Sequence, residues 1–342
     1  MERAEKNSVI EVESDTFLLI RGFVERNGII PIDHIRKVKE GRNSQVYFVE
    51  QGRRKWVVKE YFRHDNDTRN RLNTEFCFLT FLTENEVEQV GKPIASDVAN
   101  NLGLFSHLPG SVPKTINRNL INQAGEFVKK INEVQNTELA KRLPEASEAC
   151  FSIMDHIDCV KKRVKKLSDI LPMNAIQHDV SAFIYSSLLP ALNKVSNNIK
   201  KTYSDEKLQH ALPNHSRILS PSDFGFQNTL IYKSILYFLD FEYAGWDDPA
   251  KLFCDFGCHP EIPVTNEYFQ IFKHSFSSWL PDYDESITRS EMLMPLYRLK
   301  WCCIMLNEFT LAGRARRNHA GKVFDYEHQF QKTKKYYNKY LA

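Results

Sequence analysis

The chain has 342 residues, 42% of them hydrophobic and 26% charged, with a formal net charge of +3. That length suits two domains or one bilobal one with a sizeable core, and a near-neutral, interspersed charge excludes nucleic-acid or membrane partners recruited by bulk charge. The first residues show no apolar leader core, the longest apolar runs, SILYFL and WCCIML, fall far short of the roughly 18 residues of a membrane helix, and seven cysteines without a C-x-x-C fit reduced thiols, so a cytoplasmic location without membrane insertion is expected.

In chain order, TFLLIRGFV (16–24) reads as a short helix or strand ahead of the main fold. Three β-rich runs, 34–40, 45–50 and 55–61, are divided by the turns GRNS and QGRR and predict an antiparallel meander. Residues 67–83 carry apolar side chains at helical spacing, with Asp67 as a candidate N-cap. GKPIAS (91–96) reads as a turn-like break and NNLGLFSHLPGS (100–111) as a strand ending at Pro109-Gly110. From there the character is helical: 115–135, 145–171, 180–204, a stretch around 295–313 and a polar C-terminal helix. Two short strands, 228–232 and 235–239, interrupt it. A β-rich unit followed by a helical one with an embedded hairpin predicts an α+β fold of two lobes.

The chemistry concentrates in ILSPSDFGFQNTLIYKSILYFLDFEYAGWDDPAK (218–251). Asp223 and Asn228, five residues apart in a tight loop, and Asp240 at the end of an apolar strand would face one cavity. Two carboxylates and an amide oxygen form a hard, all-oxygen site suited to Mg²⁺, and phosphoryl transfer from ATP needs such a set. Singly these are turn residues and a cap; together, between two strands, they form a constellation. Upstream, Lys59 in a strand-like run would point into an interlobe cleft if Val58 faces the core, and Glu75, sixteen residues on in a helix, can orient it. The turn GRNS has one glycine, Gly41, and by itself is a weak phosphate signal. Cys254, Cys258 and His259 invite a metal reading, but Cys254 and Cys258 one helical turn apart suit a buried helix face better, because no second ligand pair stands at zinc spacing.

These segments (EGRNSQVYFV, WVVKEY, NTEFCFLTFL, LGLFSHLPGS, SPSDFGFQN and FLDFEYAGWDDPA) resemble those of the aminoglycoside phosphotransferase and choline kinase family, which has the protein-kinase-like fold. The resemblance covers about residues 34–260. It implies an ATP- and Mg²⁺-dependent transfer of phosphate to a hydroxyl of a small molecule such as a sugar or amino sugar. It implies a nucleotide-binding lobe over 1–108 with the hinge at its end, and a helical lobe with catalytic loop and acceptor site over 109–342. Residue by residue, it makes Asp223 the catalytic base and Asn228 and Asp240 the Mg²⁺ ligands. Lys59 would contact phosphates with Glu75 as partner, Gly41, Asn43 and Ser44 would lie over the phosphates, and Phe105 and His107 would belong to the adenine hinge. Asp248 would support the catalytic region. Two departures stand out. Ser220 occupies the place of the family's usual His, and Asp255 comes later than the usual D-L-A after D-P. The wording SPSDFGFQN is similar to that of a bacterial subgroup associated with sugars or surface-polysaccharide precursors.

In this fold the acceptor sits on the helical lobe near Asp223. Candidates are Glu242, His259, Trp301, Asn307 and Glu308, with Ser147, Glu148, His156, Glu261 and Arg298 beside them; at three-, four- and seven-residue steps Arg298, Trp301 and Glu308 share a helix face. The basic cluster Arg314, Arg316, Arg317 fits neither a polycationic aminoglycoside nor choline; it is either surface or a mark of an anionic acceptor. The competing reading is a nucleotide-binding pseudokinase without turnover, favoured only by Ser220. A protein kinase is disfavoured by the lack of an A-P-E-like segment.

Overall fold

In the computed structural model, which describes residues 15–38, 44–63, 69–170, 172–319, 321 and 324–342, TFLLIRGFV lies in a helix, α1 (Asp15–Arg26). It buries Ile20, Phe23 and Val24 against the sheet residues Val49, Val58, Leu102 and Leu104. The meander follows as β1 (His34–Val38), β2 (Gln45–Gln51) and β3 (Arg54–Glu60), then α2 (Arg71–Glu84), β4 (Pro93–Asp97) and β5 (Leu102–Ser106). The five strands form one antiparallel sheet in the order β1-β2-β3-β5-β4. Strand β4 corrects the turn expected at 91–96. It is an edge strand opened by Pro93, with a register shift between Pro93 and Ala95, and an edge is where a residue without an N–H is tolerated. Asp67 lies outside the described residues; the N-cap of α2 is Asn70, whose side chain accepts from the Asn73 N–H at 3.1 Å.

The helical lobe opens with α3 (Arg118–Glu133), α4 (Glu138–Arg142), α5 (Ile153–Ser168), α6 (Ala175–Phe183), α7 (Leu189–Thr202) and α8 (Asp205–Gln209). A capping box starts α5: the Asp155 N–H donates to Ser152 Oγ at 3.1 Å and the Ser152 N–H to Asp155 Oδ2 at 2.8 Å. Ile153, Ile157, Val160, Val164 and Leu167 then face the core at helical spacing, each burial contributing roughly 1.5–3 kcal/mol. Between α6 and α7 a π-turn, Ile184–Leu188, precedes Pro190, whose missing N–H removes one i→i−4 bond. Two small ladders follow. Strand β6 (Ile218–Ser220) pairs with β9 (Gly245–Asp247), and β7 (Thr229–Tyr232) with β8 (Ile235–Phe238). The lobe closes with α9 (Pro249–Cys258), α10 (Asn266–His274), α11 (Tyr283–Leu306), α12 (Leu311–His319) and α13 (Tyr326–Tyr340).

One aromatic cluster runs through both lobes. Phe78 of α2 stacks on Phe241 at 5.4 Å, and Phe127 of α3 stacks on Phe238 at 3.8 Å and on Phe224 at 6.3 Å. The hairpin β7–β8 is the seam between the lobes: the Phe238 N–H donates to Gln89 O at 2.8 Å, and Ile231 exchanges bonds with Ser111. Gly110 makes that second approach possible. Its φ is +115°, and a Cβ there would lie 2.5 Å from Ile231 O. The expected α+β, bilobal fold is the one observed. Among the described residues no helix is long and apolar enough to cross a membrane.

Candidate active site

The lobes enclose a cleft of about 2060 Å³, against the 300–1,000 Å³ of common single-ligand pockets. Its N-terminal wall comes from the sheet. On β3 the side chains alternate, so Val58 is buried in the core and Lys59 turns into the cleft. Lys59 Nζ lies 2.6 Å from Glu75 Oε2 and 2.8 Å from Asp240 Oδ1. Burial alone would pull the ammonium pKa down; Asp240, Glu75 and Glu242 override it and hold it above its ordinary range. Glu75 is fixed in turn by the Tyr61 hydroxyl at 2.6 Å and the Phe241 N–H at 3.3 Å. Val38, Val46, Val57 and Phe105 line the cleft beside it, and His107 sits edge-on to Phe48 at 5.2 Å. Gly41 and Asn43 lie outside the described residues. Ser44 is buried, its hydroxyl 3.5 Å from Glu242 Oε2.

The opposite wall is the loop between β6 and β7. Ser220 pairs with Gly245 in the β6–β9 ladder, and its hydroxyl accepts from the Ser222 N–H at 3.0 Å. Ser222 has φ +68°, a left-handed turn that this bond supports. So Ser220 braces the loop that presents Asp223. The Asn228 amide donates to Asp223 O at 2.9 Å and to Asp223 Oδ2 at 3.3 Å. Asp240 follows β8, also left-handed at φ +68°, and the Leu239 N–H donates to Asn228 O at 2.9 Å. The open end of the hairpin therefore sets Asn228 and Asp240 side by side. Burial pushes the Asp223 pKa up to about 6, helped by Asp240 and Asp255; the Asn228 amide and Lys300 pull the other way.

Among the described residues no group of three or more His, Cys, Asp or Glu could hold a metal. Asn228 and Asp240 make a different kind of site. With the Asn228 NH₂ turned to Asp223 and Lys59 on one Asp240 oxygen, the amide oxygen and the second carboxylate oxygen remain as hard ligands. Such a pair, completed by phosphate oxygens and water, fits Mg²⁺. Cys254 and Cys258 are buried in α9, against Ser290 O and Met294.

At the far end, His259, Trp301, Asn307 and Glu308 line the cleft with Ser147, Glu148 and Glu261. The Glu261 N–H donates to His259 Nδ1 at 3.3 Å, which leaves the ring proton on Nε2, 3.8 Å from Asp223 Oδ1. The His259 ring meets Trp301 at 4.4 Å. Three expectations need correction. Glu242 is not at this end: it is buried behind the site, 3.8 Å from Arg71, its pKa pushed up to about 7 by burial and Asp240, with Lys59 and Arg71 pulling it back. His156 is inside the lobe, between Tyr297 Oη at 2.7 Å and Asp248 Oδ2 at 3.2 Å. Arg298, Trp301 and Glu308 do not share one helix face, because α11 ends at Leu306 and Glu308 stands on a 3₁₀ turn, while Arg298 bonds Tyr336 of α13. Asp248 caps α9 through the Ala250 N–H at 2.7 Å and holds both His156 and Arg289.

Sequence reasoning missed a buried charge relay beside Asp223. Lys300 lies 2.8 Å from Asp255 Oδ2, and Lys251 3.9 Å from the same oxygen and 2.5 Å from Asp247 Oδ2. A lone lysine in the apolar run around Trp301 was the available signal, because a buried ammonium must be paired. Gln227 was missed as well: its amide lines the cleft next to Asn228 with no hydrogen-bond partner among the described residues.

The model of the phosphotransferase enzyme family matches residues 34–154. No curated protein matches the chain. Among solved structures it is similar to the macrolide 2′-phosphotransferase MphH of Brachybacterium faecium, with 16% identity, a TM-score of 0.55, and 90% of this chain and 99% of that one covered. The choline kinase of Cryptosporidium parvum is similar at 14% identity and a TM-score of 0.55, with 95% and 98% covered. The ternary complex of APH(2″)-IIa with streptomycin and ATP matches at 15% identity and a TM-score of 0.55, with 82% and 89% covered. The partial sequence match and the shared protein-kinase-like fold agree with the resemblance to the aminoglycoside phosphotransferase and choline kinase family.

Proposed function

We propose that this chain transfers the γ-phosphoryl group of ATP to a hydroxyl of a small molecule, with Mg²⁺. The observation that carries the reading is the meeting of Lys59, Glu75, Asp223, Asn228 and Asp240 from four separate segments in one cleft. The residues up to Leu108 serve as the nucleotide half and those from Pro109 as the catalytic and acceptor half. Adenine lies against Val46, Val57 and Phe105 beside the hinge, and Lys59, steadied by Glu75, takes the phosphates. Asn228 and Asp240 hold Mg²⁺, which when bound neutralises the charge spread over the phosphate oxygens. Asp223 orients the acceptor hydroxyl and receives its proton. The acceptor oxygen bonds to Pγ as the bond from Pγ to the bridging oxygen breaks, and ADP leaves. A carboxylate whose pKa lies near 6 suits that task better than an ordinary one. The ATP bound in the APH(2″)-IIa complex supports the nucleotide.

The test is Mg²⁺-dependent ADP release in the presence of candidate acceptors. Asp223→Ala should lower turnover by about 10²–10⁴-fold while Mg·ATP still raises the unfolding temperature. Turnover unaffected by Asp223→Ala would refute the reading. Nucleotide stabilisation without turnover by the unaltered chain on any acceptor would favour the pseudokinase.

A further inference from the structure

This inference rests on the phosphotransfer reading and concerns its acceptor. Among the described residues from Pro109 on, leaving aside Asp223, Asp240 and Lys251, which is paired with Asp247, eight lysines and arginines but five carboxylates line the cleft. Four of the five carboxylates already face cations. Glu148 is bonded by Arg163, Asp255 by Lys300 at 2.8 Å, and Glu261 by Lys332 at 2.6 Å; Glu308 is shared by Arg316 and Arg317. One carboxylate between two guanidinium groups leaves a positive excess. Arg316 is not simply a solvated cation, for its side chain is only 16% exposed. Lys162 of α5 and Arg314 of α12 line the same cleft and make no ion pair with the described residues.

A second, independent observation concerns donors without acceptors. Trp301 is 6% exposed, and its indole N–H has no hydrogen-bond partner among the described residues; nor has the buried Nε–H of Arg316. A buried donor left without an acceptor is costly, so both sites call for oxygen atoms from outside the chain. Glu308 Oε2 is buried and unpartnered as well, and it suits a hydroxyl donor. An amine-rich acceptor would meet the opposite arrangement: cations facing cations, and N–H groups facing N–H groups.

We propose that the acceptor is an anion, a hydroxylated molecule carrying a phosphate or carboxylate. Its negative group is drawn to the basic end formed by α12 and the cleft face of α5. Its hydroxyls meet Glu308 and Trp301 on the way to Asp223.

The experiment is thermal unfolding of the full chain with the nucleotide half saturated by Mg·ADP. The probes are inorganic phosphate, glucose 6-phosphate, gluconate, glucose and glucosamine. The anions should stabilise the chain, less so as salt is added; glucose and glucosamine should not. Glucose 6-phosphate against gluconate tells phosphate from carboxylate. Lys162→Glu and Arg314→Glu should each weaken the apparent affinity for the effective anion by about tenfold, with the Mg·ADP shift retained as the sign of a folded chain. Stabilisation by glucosamine above that by every anion, no response to any anion, or unchanged affinity in both variants would overturn the proposal. Loss of the Mg·ADP shift in the unaltered chain would instead strike at phosphotransfer, and the anion response would still be read on its own.

Discussion

Asp223, the proposed base, carries its raised pKa at the expense of the resting fold. Its folded pKa, pushed up to about 6 by burial, Asp240 and Asp255, lies above the ~3.9 of an unfolded aspartate. The group therefore favours folding while protonated, and that contribution is lost as the pH rises from about 4 through 6. Since 33% of the side chain is open to the cleft, solvent screens part of the cost. Without nucleotide or Mg²⁺, Asp223→Asn should thus unfold at a higher temperature than the unaltered chain at pH 8, by roughly 1–3 °C, with the difference vanishing near pH 4; calorimetry at both pH values checks this, and equal melting points at pH 8 would contradict it. Asp223, Asn228 and Asp240 were legible because they are close in sequence and polar within apolar surroundings. Lys300 and Asp255 were not joined on paper, because a 45-residue separation is bridged only when α9 and α11 pack.

At the scale of the element, the β7–β8 hairpin is the part on which the candidate metal ligands depend. Its two-residue turn, Lys233-Ser234, has positive φ at both positions, +50° and +65°, the geometry that Asn-Gly favours. Gln123 of α3 ties it down, donating to Ser234 O at 3.0 Å and accepting from the Leu236 N–H at 2.8 Å. Both are backbone contacts, so Lys233→Asn with Ser234→Gly leaves them intact. The double variant should gain about 1 kcal/mol of stability with nucleotide binding unchanged, as measured by denaturant unfolding and a nucleotide titration. A loss of stability would mean that the Lys and Ser side chains matter more than their backbone angles. The hairpin was readable from its alternating apolar runs. Strand β4 was not, because Pro93 argues against a strand and only the edge position in the finished sheet removes the objection. The fate of Glu308 was hidden for a related reason: helical spacing says where a residue points, not where its helix stops.

For the molecule as a whole, two lobes do not mean two folding units. The aromatic cluster that joins Phe78 and Phe81 of α2 to Phe127, Phe224 and Phe241 crosses the boundary, and Gly110 docks the segment after β5 against the hairpin. Unfolding should accordingly follow a single transition, with intrinsic fluorescence and circular dichroism coinciding; two separated transitions would show that the shared core is weaker than it looks. The bilobal plan followed from the order of β-rich and helical segments, whereas the shared core did not, because no periodicity reveals which faces of distant elements meet. The same boundary carries the ion pair of Lys59 and Asp240. In the resting chain it works as a clasp, each charge serving as the other's counter-ion across the gap. Under the proposed chemistry, a divalent cation arriving alone would strip the lysine of one partner, and a triphosphate arriving alone would crowd anions around the aspartate. Only their joint arrival re-pairs every charge, so electroneutrality itself makes the two arrivals cooperative and opens the clasp in the same step.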